Sequence, residues 1–147
     1  MKTSFATITN ISPISNLLVD RFQKINTHFG YNRYKTNLER IQEVVSERIN
    51  DKNSPYKYLV LQNEREEFVG FINLLFSKDV CEILLISVYP EYDTYDNIKL
   101  LFDEGLKLLR IANPQRIITE LTDEDVHFKQ LLREMNSKII MNIVSIN

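Results

Sequence analysis

Apolar residues along this chain change period several times, and each change marks a predicted element. From Ser4 to Ile11, Phe5, Thr7 and Thr9 alternate with Ala6 and Ile8, which predicts a short strand. Ser12 followed by Pro13 supplies an N-cap and a proline at the first helical position. Ile14, Leu17, Leu18, Phe22, Ile25 and Phe29 then recur at helical spacing until Gly30 stops the run. Thr36-x-x-Glu39 reads as a capping box opening a second helix, with Leu38, Ile41, Val45 and Ile49 as its stripe and an end near Asp51 to Pro55. Tyr56 to Gln62 and Phe68 to Phe76, separated by the polar turn Asn63 to Glu67, predict an antiparallel hairpin.

Val80 to Tyr89 is almost wholly apolar, as a strand covered on both faces would be, and Pro90 ends it. Asp96 or Asn97 can cap a helix running to Ala112, with Ile98, Leu101, Phe102, Leu109 and Ala112 buried and Gly105 allowing close approach to a sheet. Asn113-Pro114 ends that helix. A short strand follows at Arg116 to Leu121, then a helix capped by Thr122-x-x-Asp125 and carrying Phe128, Leu131, Leu132 and Met135, then a closing strand from Lys138 to Ile146. The order β-α-α-β-β-β-α-β-α-β is that of an α/β (α+β) domain: a central mixed sheet with helices on both faces.

Composition narrows the picture. The 147 residues suit one domain spanning positions 1–147, and 44% hydrophobic with 26% charged residues is an ordinary globular balance. A net charge of −2 gives no field to attract phosphate backbones or anionic lipid, so neither nucleic acid nor membrane is an expected partner. No run approaches the roughly 18 apolar residues of a membrane span, and the N-terminal segment lacks a continuous apolar signal. One cysteine and two histidines cannot complete a zinc site without carboxylates, so no metal is expected. The reading is a cytoplasmic protein.

The order of elements resembles the GNAT fold of acyl-CoA-dependent N-acetyltransferases over almost the whole chain. Phe68-Val69-Gly70-Phe71-Ile72 is similar to the family's (I/V)-G-F strand, and Ser87-Val88-Tyr89-Pro90-Glu91-Tyr92 to the V-x-P-(E/D)-(Y/W)-R end of its fourth strand. The resemblance implies acyl transfer from acetyl-CoA to a small-molecule or peptide amine. It implies cofactor contacts from Ser87 and Val88 and from the following loop and helix start, Thr94, Tyr95, Asp96, Asn97, Ile98 and Lys99.

The chemistry of that loop departs from the family's R/Q-x-x-G-x-G/A. Asp93, Thr94, Tyr95, Asp96, Asn97 and Ile98 contain neither the glycines nor the basic residue with which backbone N–H groups and a helix N-terminus hold pyrophosphate. Weak or absent binding of acetyl-CoA or CoA is the expectation. The position of the family's carboxylate base is Leu85, and that of its tyrosine acid, aligned through Glu120, is Leu132. Glu82, the one carboxylate within the fourth strand, is the candidate base, working through water. Against this stands an exposed carboxylate at a strand end.

Other residues carry a functional and a plainer reading together. Tyr89, Tyr92 and Tyr95 cluster at the mouth of the V-shaped opening that the resemblance implies for CoA between the Val80 to Tyr89 and Arg116 to Leu121 strands, either to stack on adenine or to pack their rings with wet hydroxyls. Asp93 and Asp96 suit a cationic ligand or simply a turn and a cap. Cys81 on a buried strand is expected to be inert, and neither His28 nor His127 has catalytic spacing. Ile139, Met141, Ile143 and Ile146 form an apolar last strand that completes this sheet or pairs two copies into a homodimer. Two functions follow: an N-acetyltransferase weakened by loss of its pyrophosphate loop and acid and base residues, or a non-catalytic binding or regulatory module on the same fold.

Overall fold

The strands lie in one mixed sheet in the order β1-β2-β3-β4-β5-β7-β6. A computed structural model describes residues 1–29, 36–135, 138–140 and 143–146. Its elements are β1 (Lys2–Phe5), α1 (Ile11–Phe29), α2 (Leu38–Asn50), β2 (Tyr56–Gln62), β3 (Phe68–Leu75), β4 (Val80–Val88), α3 (Tyr95–Ile111), β5 (Arg116–Glu120), α4 (Val126–Glu134), β6 (Lys138–Ile140) and β7 (Ile143–Ile146). The predicted α/β (α+β) architecture, with helices on both faces of a mixed sheet, is what forms.

Side-chain alternation sends the two faces of the sheet into separate cores. Tyr58, Val60 and Phe71 pack under α1 and α2 with Ile14, Leu17, Leu18, Ile41 and Val45. Leu59, Leu61, Ile72, Leu74, Cys81, Ile83 and Ile86 pack under α3 and α4 with Leu101, Phe102, Phe128 and Leu131. Gly105 lets α3 sit close: a Cβ there would lie 2.7 Å from Ile72 Cδ1. Gly70 is tighter still, since a Cβ would meet Val88 Cγ1 at 2.4 Å and the Ser87 carbonyl oxygen at 2.7 Å.

Several predicted boundaries shift for local reasons. The strand expected from Ser4 to Ile11 stops at Phe5. Ile8–Asn10 instead forms a 3-10 turn that runs directly into α1, and Asn10 Oδ1 accepts the Thr7 N–H at 2.9 Å. Ser12 and Pro13 therefore lie inside the first turn of α1, where proline's missing N–H costs nothing. Asn37, not Thr36, caps α2, its Oδ1 accepting from Arg40 N at 3.0 Å. Thr94, not Asp96 or Asn97, caps α3. Ala112 is the exposed C-cap of α3 and not part of its buried stripe. The single closing strand from Lys138 to Ile146 is two strands, β6 and β7, paired antiparallel, with β7 on β5 and β6 at the edge. Gly30, Asn136, Ser137, Met141 and the His28 side chain lie outside the described residues.

Candidate functional site

The site begins where two strands part. Parallel pairing of β4 with β5 runs only from Val80–Arg116 to Ile83–Thr119. At the fork the buried Thr119 hydroxyl donates to the Ile83 carbonyl at 2.7 Å. One residue further, β4 bulges: Asn73 faces Leu85 while Leu74 faces Ile83, which leaves Leu84 as the extra residue. A bulge bends its strand and re-aims side chains. Here it puts Leu84 and Leu85 together on the wall of a cavity under α1 and α2.

Two cavities flank the fork. The one toward the starts of α3 and α4 is small, about 160 Å³, and its walls include Ile86, Ser87, Val88, Asp93, Ile98, Asp125 and His127. Of the residues that the resemblance assigns to the cofactor, Ser87, Val88 and Ile98 line it. The others lie outside its lining. Thr94 Oγ1 accepts from the Asn97 N–H at 3.3 Å, and Asn97 Nδ2 donates to the Tyr92 carbonyl at 3.0 Å. The Tyr95 hydroxyl donates to Glu134 of α4, whose hydrogen bond raises the tyrosine's pKa, and Lys99 pairs with Asp103 one turn along α3. Asp96 is an exposed first-turn residue.

Of the tyrosines at this end of β4, Tyr89 lies on one side of the sheet and Tyr92 and Tyr95 on the other. Tyr89 packs edge-on against Phe68 at 5.7 Å on the α1–α2 side. Tyr92 packs against the opposite core and its hydroxyl accepts from Asn63 Nδ2 at 3.4 Å.

Electrostatics of the small cavity run against a phosphate. Asp20, Asp93, Glu124 and Asp125 line it, against Arg21 and Lys24. Arg21 is bound to Asp125 at 2.5 Å, and Asp93 lies 3.8 Å from His127 Nε2. The Thr94 side chain takes one N–H of α3 that an anion would use. The side chains present are therefore poorly suited to the pyrophosphate of CoA.

The cavity under α1 and α2 is larger, about 430 Å³, with mostly apolar walls into which Arg21, Arg40 and Arg48 and the carboxylates of Glu82 and Glu120 also reach, beside Tyr58 and Asn73. Glu82 is thus half-buried in a cavity wall and not an exposed strand end. Burial, and secondarily the charge of Glu120, raise its pKa above the usual carboxylate value. Tyr58, hydrogen-bonded by Arg48 at 3.3 Å, also has its pKa raised by burial. Leu85 shares this wall and Leu132 is buried under α3 and α4, so neither position supplies a proton-transfer group.

Arg21 lines both cavities and stands between them. No sequence pattern pointed to it or to Asn73, because both owe their place to strand and helix packing distant in the chain. Among the described residues no group of three or more His, Cys, Asp or Glu could hold a metal ion. No described helix is long and apolar enough to cross a membrane.

No protein-family model matches the chain, and no curated protein does. Solved structures do. A mutant of the spermidine N-acetyltransferase SpeG from Vibrio cholerae superposes with a TM-score of 0.71 at 15% identity, covering 99% of this chain and 94% of that one. A GNAT-family acetyltransferase from Staphylococcus aureus gives 0.71 at 12% identity, over 99% and 98% of the two chains. The PaiA N-acetyltransferase of Thermoplasma acidophilum, solved in complex with coenzyme A, gives 0.67 at 14% identity, over 100% and 99%. The splayed β4 and β5, the bulge beside the fork and these superpositions together establish that the chain has the fold of the GNAT acetyltransferases.

Proposed function

We propose that this chain is a weakened N-acetyltransferase: it takes an amine into the cavity under α1 and α2, and its acetyl-CoA-dependent transfer is slow because the cofactor side is poorly built. The observation that carries this reading is the contrast between the two cavities. The larger one has apolar walls and a proton-accepting carboxylate in Glu82. The smaller one is lined by carboxylates, and its Arg21 is already paired with Asp125. The fold, and a coenzyme A complex in the superposed PaiA structure, support acetyl-CoA as the acyl donor.

Within the larger cavity the proton chemistry rests on Glu82. An ammonium must lose a proton before its nitrogen can attack a carbonyl. A carboxylate whose pKa is raised holds that proton better than an ordinary one, so Glu82, directly or through one water, is the acceptor. A buried free thiol, Cys81, suits the reducing cytoplasm expected for a CoA-dependent reaction.

A second reading, a non-catalytic amine-binding or regulatory module, is favoured by the same Arg21–Asp125 pair, since an arginine already neutralised by a carboxylate offers no charge to a cofactor phosphate. Isothermal titration with acetyl-CoA and with CoA, followed by an acetyl-transfer assay on a panel of amines, separates the two. The first reading expects a dissociation constant on the order of millimolar, far weaker than common enzyme KM values, together with slow turnover. Absence of both acetyl-CoA binding and turnover supports the module. Micromolar binding would show that the cofactor side rearranges and would overturn the account of its weakness.

A further inference from the structure

Asn73 is an anomaly in the α1–α2 core. It is 4% exposed, in the middle of β3, and its Oδ1 has no hydrogen-bond partner among the described residues. Buried polar atoms are nearly always paired, and an orphaned one destabilises the free protein. A leucine would fill much the same volume without that penalty, so the amide calls for a role in a bound state.

Its surroundings define what would complete it. Asn73 pairs with Tyr58 on β2 and with Leu85 on β4, so these residues form a cross-strand row along the cavity floor. At the β2 side of that row the Arg48 guanidinium stacks 3.6 Å from the Tyr56 ring centroid and donates to the Tyr58 hydroxyl. On the β4 and β5 side stand the carboxylates of Glu82 and Glu120. Arg21, also in the wall, is neutralised by Asp125. The cavity therefore runs from Arg48 at the β2 side, past Asn73 with its buried, unpaired Oδ1, to the carboxylates at β4 and β5, under α1 and α2 side chains that are mostly apolar but include Arg40, itself paired with Glu43.

Resting on the reading that this cavity takes an amine, we infer that Asn73 selects it: its Oδ1 accepts an N–H of the ammonium head of an amine with one cationic group and an apolar body. Glu82 supplies the countercharge. The apolar body lies against the α1 and α2 side chains. A second cationic group at the other end of the ligand would be driven toward Arg48, so linear diamines are rejected.

Calorimetric titration of the full chain with n-hexylamine and with 1,6-diaminohexane, without acetyl-CoA, tests this. Hexylamine is expected to bind about tenfold or more tightly than the diamine, a gap of about 1.4 kcal/mol or more. Asn73→Leu should weaken hexylamine binding about tenfold while raising the melting temperature of the free protein. Asn73→Asp, which keeps an acceptor at the site, should retain binding and serves if the leucine variant fails to fold. Diamine binding as tight as hexylamine would overturn the single-cation selection. Unchanged hexylamine binding in Asn73→Leu would show that the amide serves only a bound water and would overturn its role. If neither amine binds, the amine reading of the cavity itself falls, whatever the acetyl-CoA titration shows.

Discussion

Arg21 of α1 and Asp125 at the cap of α4 meet at 2.5 Å across the fork between β4 and β5, with 13% and 5% of their side chains exposed. Arg21 also donates to Thr122 Oγ1 at 3.2 Å, and Asp125 Oδ2 accepts from the Thr122 N–H at 2.7 Å. Two helices far apart in sequence are thus fastened to one loop. The fastening lies where the two cavities meet.

Removing one member of so buried a pair leaves the other charge without compensation. Asp125→Ala should therefore destabilise the fold by about 3 kcal/mol, measured by urea denaturation. Arg21→Met combined with Asp125→Ala should cost at least 1 kcal/mol less than the sum of the single changes. Additive costs would show that the two side chains do not interact. Because the pair is buried, the effect should persist at high salt.

Glu82→Gln should act oppositely on rate and stability. As the proton acceptor, its loss should lower acetyl transfer by about 10²-fold or more. Because the folded pKa of Glu82 is raised, folding favours its protonated form. Its stabilising contribution is complete below the unfolded value near 4.5 and is lost as pH rises through the folded value. The glutamine variant should melt at a higher temperature than the natural protein at pH 7.5, and the difference should close by pH 4. A constant difference across that range would remove the titration of Glu82 from the account.

The two packed glycines should respond differently to alanine. At Gly70 a Cβ meets the Ser87 backbone carbonyl and the Val88 Cα, which cannot yield without moving the end of β4. Gly70→Ala should cost about 2–3 kcal/mol. At Gly105 the contact is with the tip of Ile72, and helix propensity returns about 1 kcal/mol. Gly105→Ala should change stability by less than about 1 kcal/mol. Equal losses in thermal unfolding would contradict this ranking.

Charge on the cofactor side is open to repair at one position. Asp93 is exposed and lines the small cavity, so Asp93→Arg should tighten acetyl-CoA binding about tenfold, or about 1.4 kcal/mol, at low salt. The gain should shrink as salt is added. Restoring a glycine at Thr94 loses only a few tenths of a kcal/mol of capping. The same change at Ile98 would empty a core position that is 6% exposed, so full restoration of the family's loop is barred by packing. No gain from Asp93→Arg would show that backbone geometry, not charge, limits the cofactor.

Whereas the parallel pairing of β4 with β5 is read from the structure, the periodic pattern of apolar residues by itself determined the helices and the β2–β3 hairpin with its turn. These depend on local spacing: alternation for a half-buried strand, a three-to-four repeat for a helix face. The absence of glycine from Asp93 to Ile98 was equally legible, because it is a property of single positions. Capping residues moved by one or more positions, since a Thr, Asn or Asp at each helix start offers competing side-chain acceptors and only the backbone path chooses among them. Tertiary structure alone decided the candidate site. The bulge at Leu84, the orphaned amide of Asn73 opposite Tyr58 and Leu85, the half-burial of Glu82 beside Glu120, and the Arg21–Asp125 pair all join residues from elements distant in the chain. No period in the sequence records such meetings, because they are set by which strand lies beside which and where two strands cease to pair.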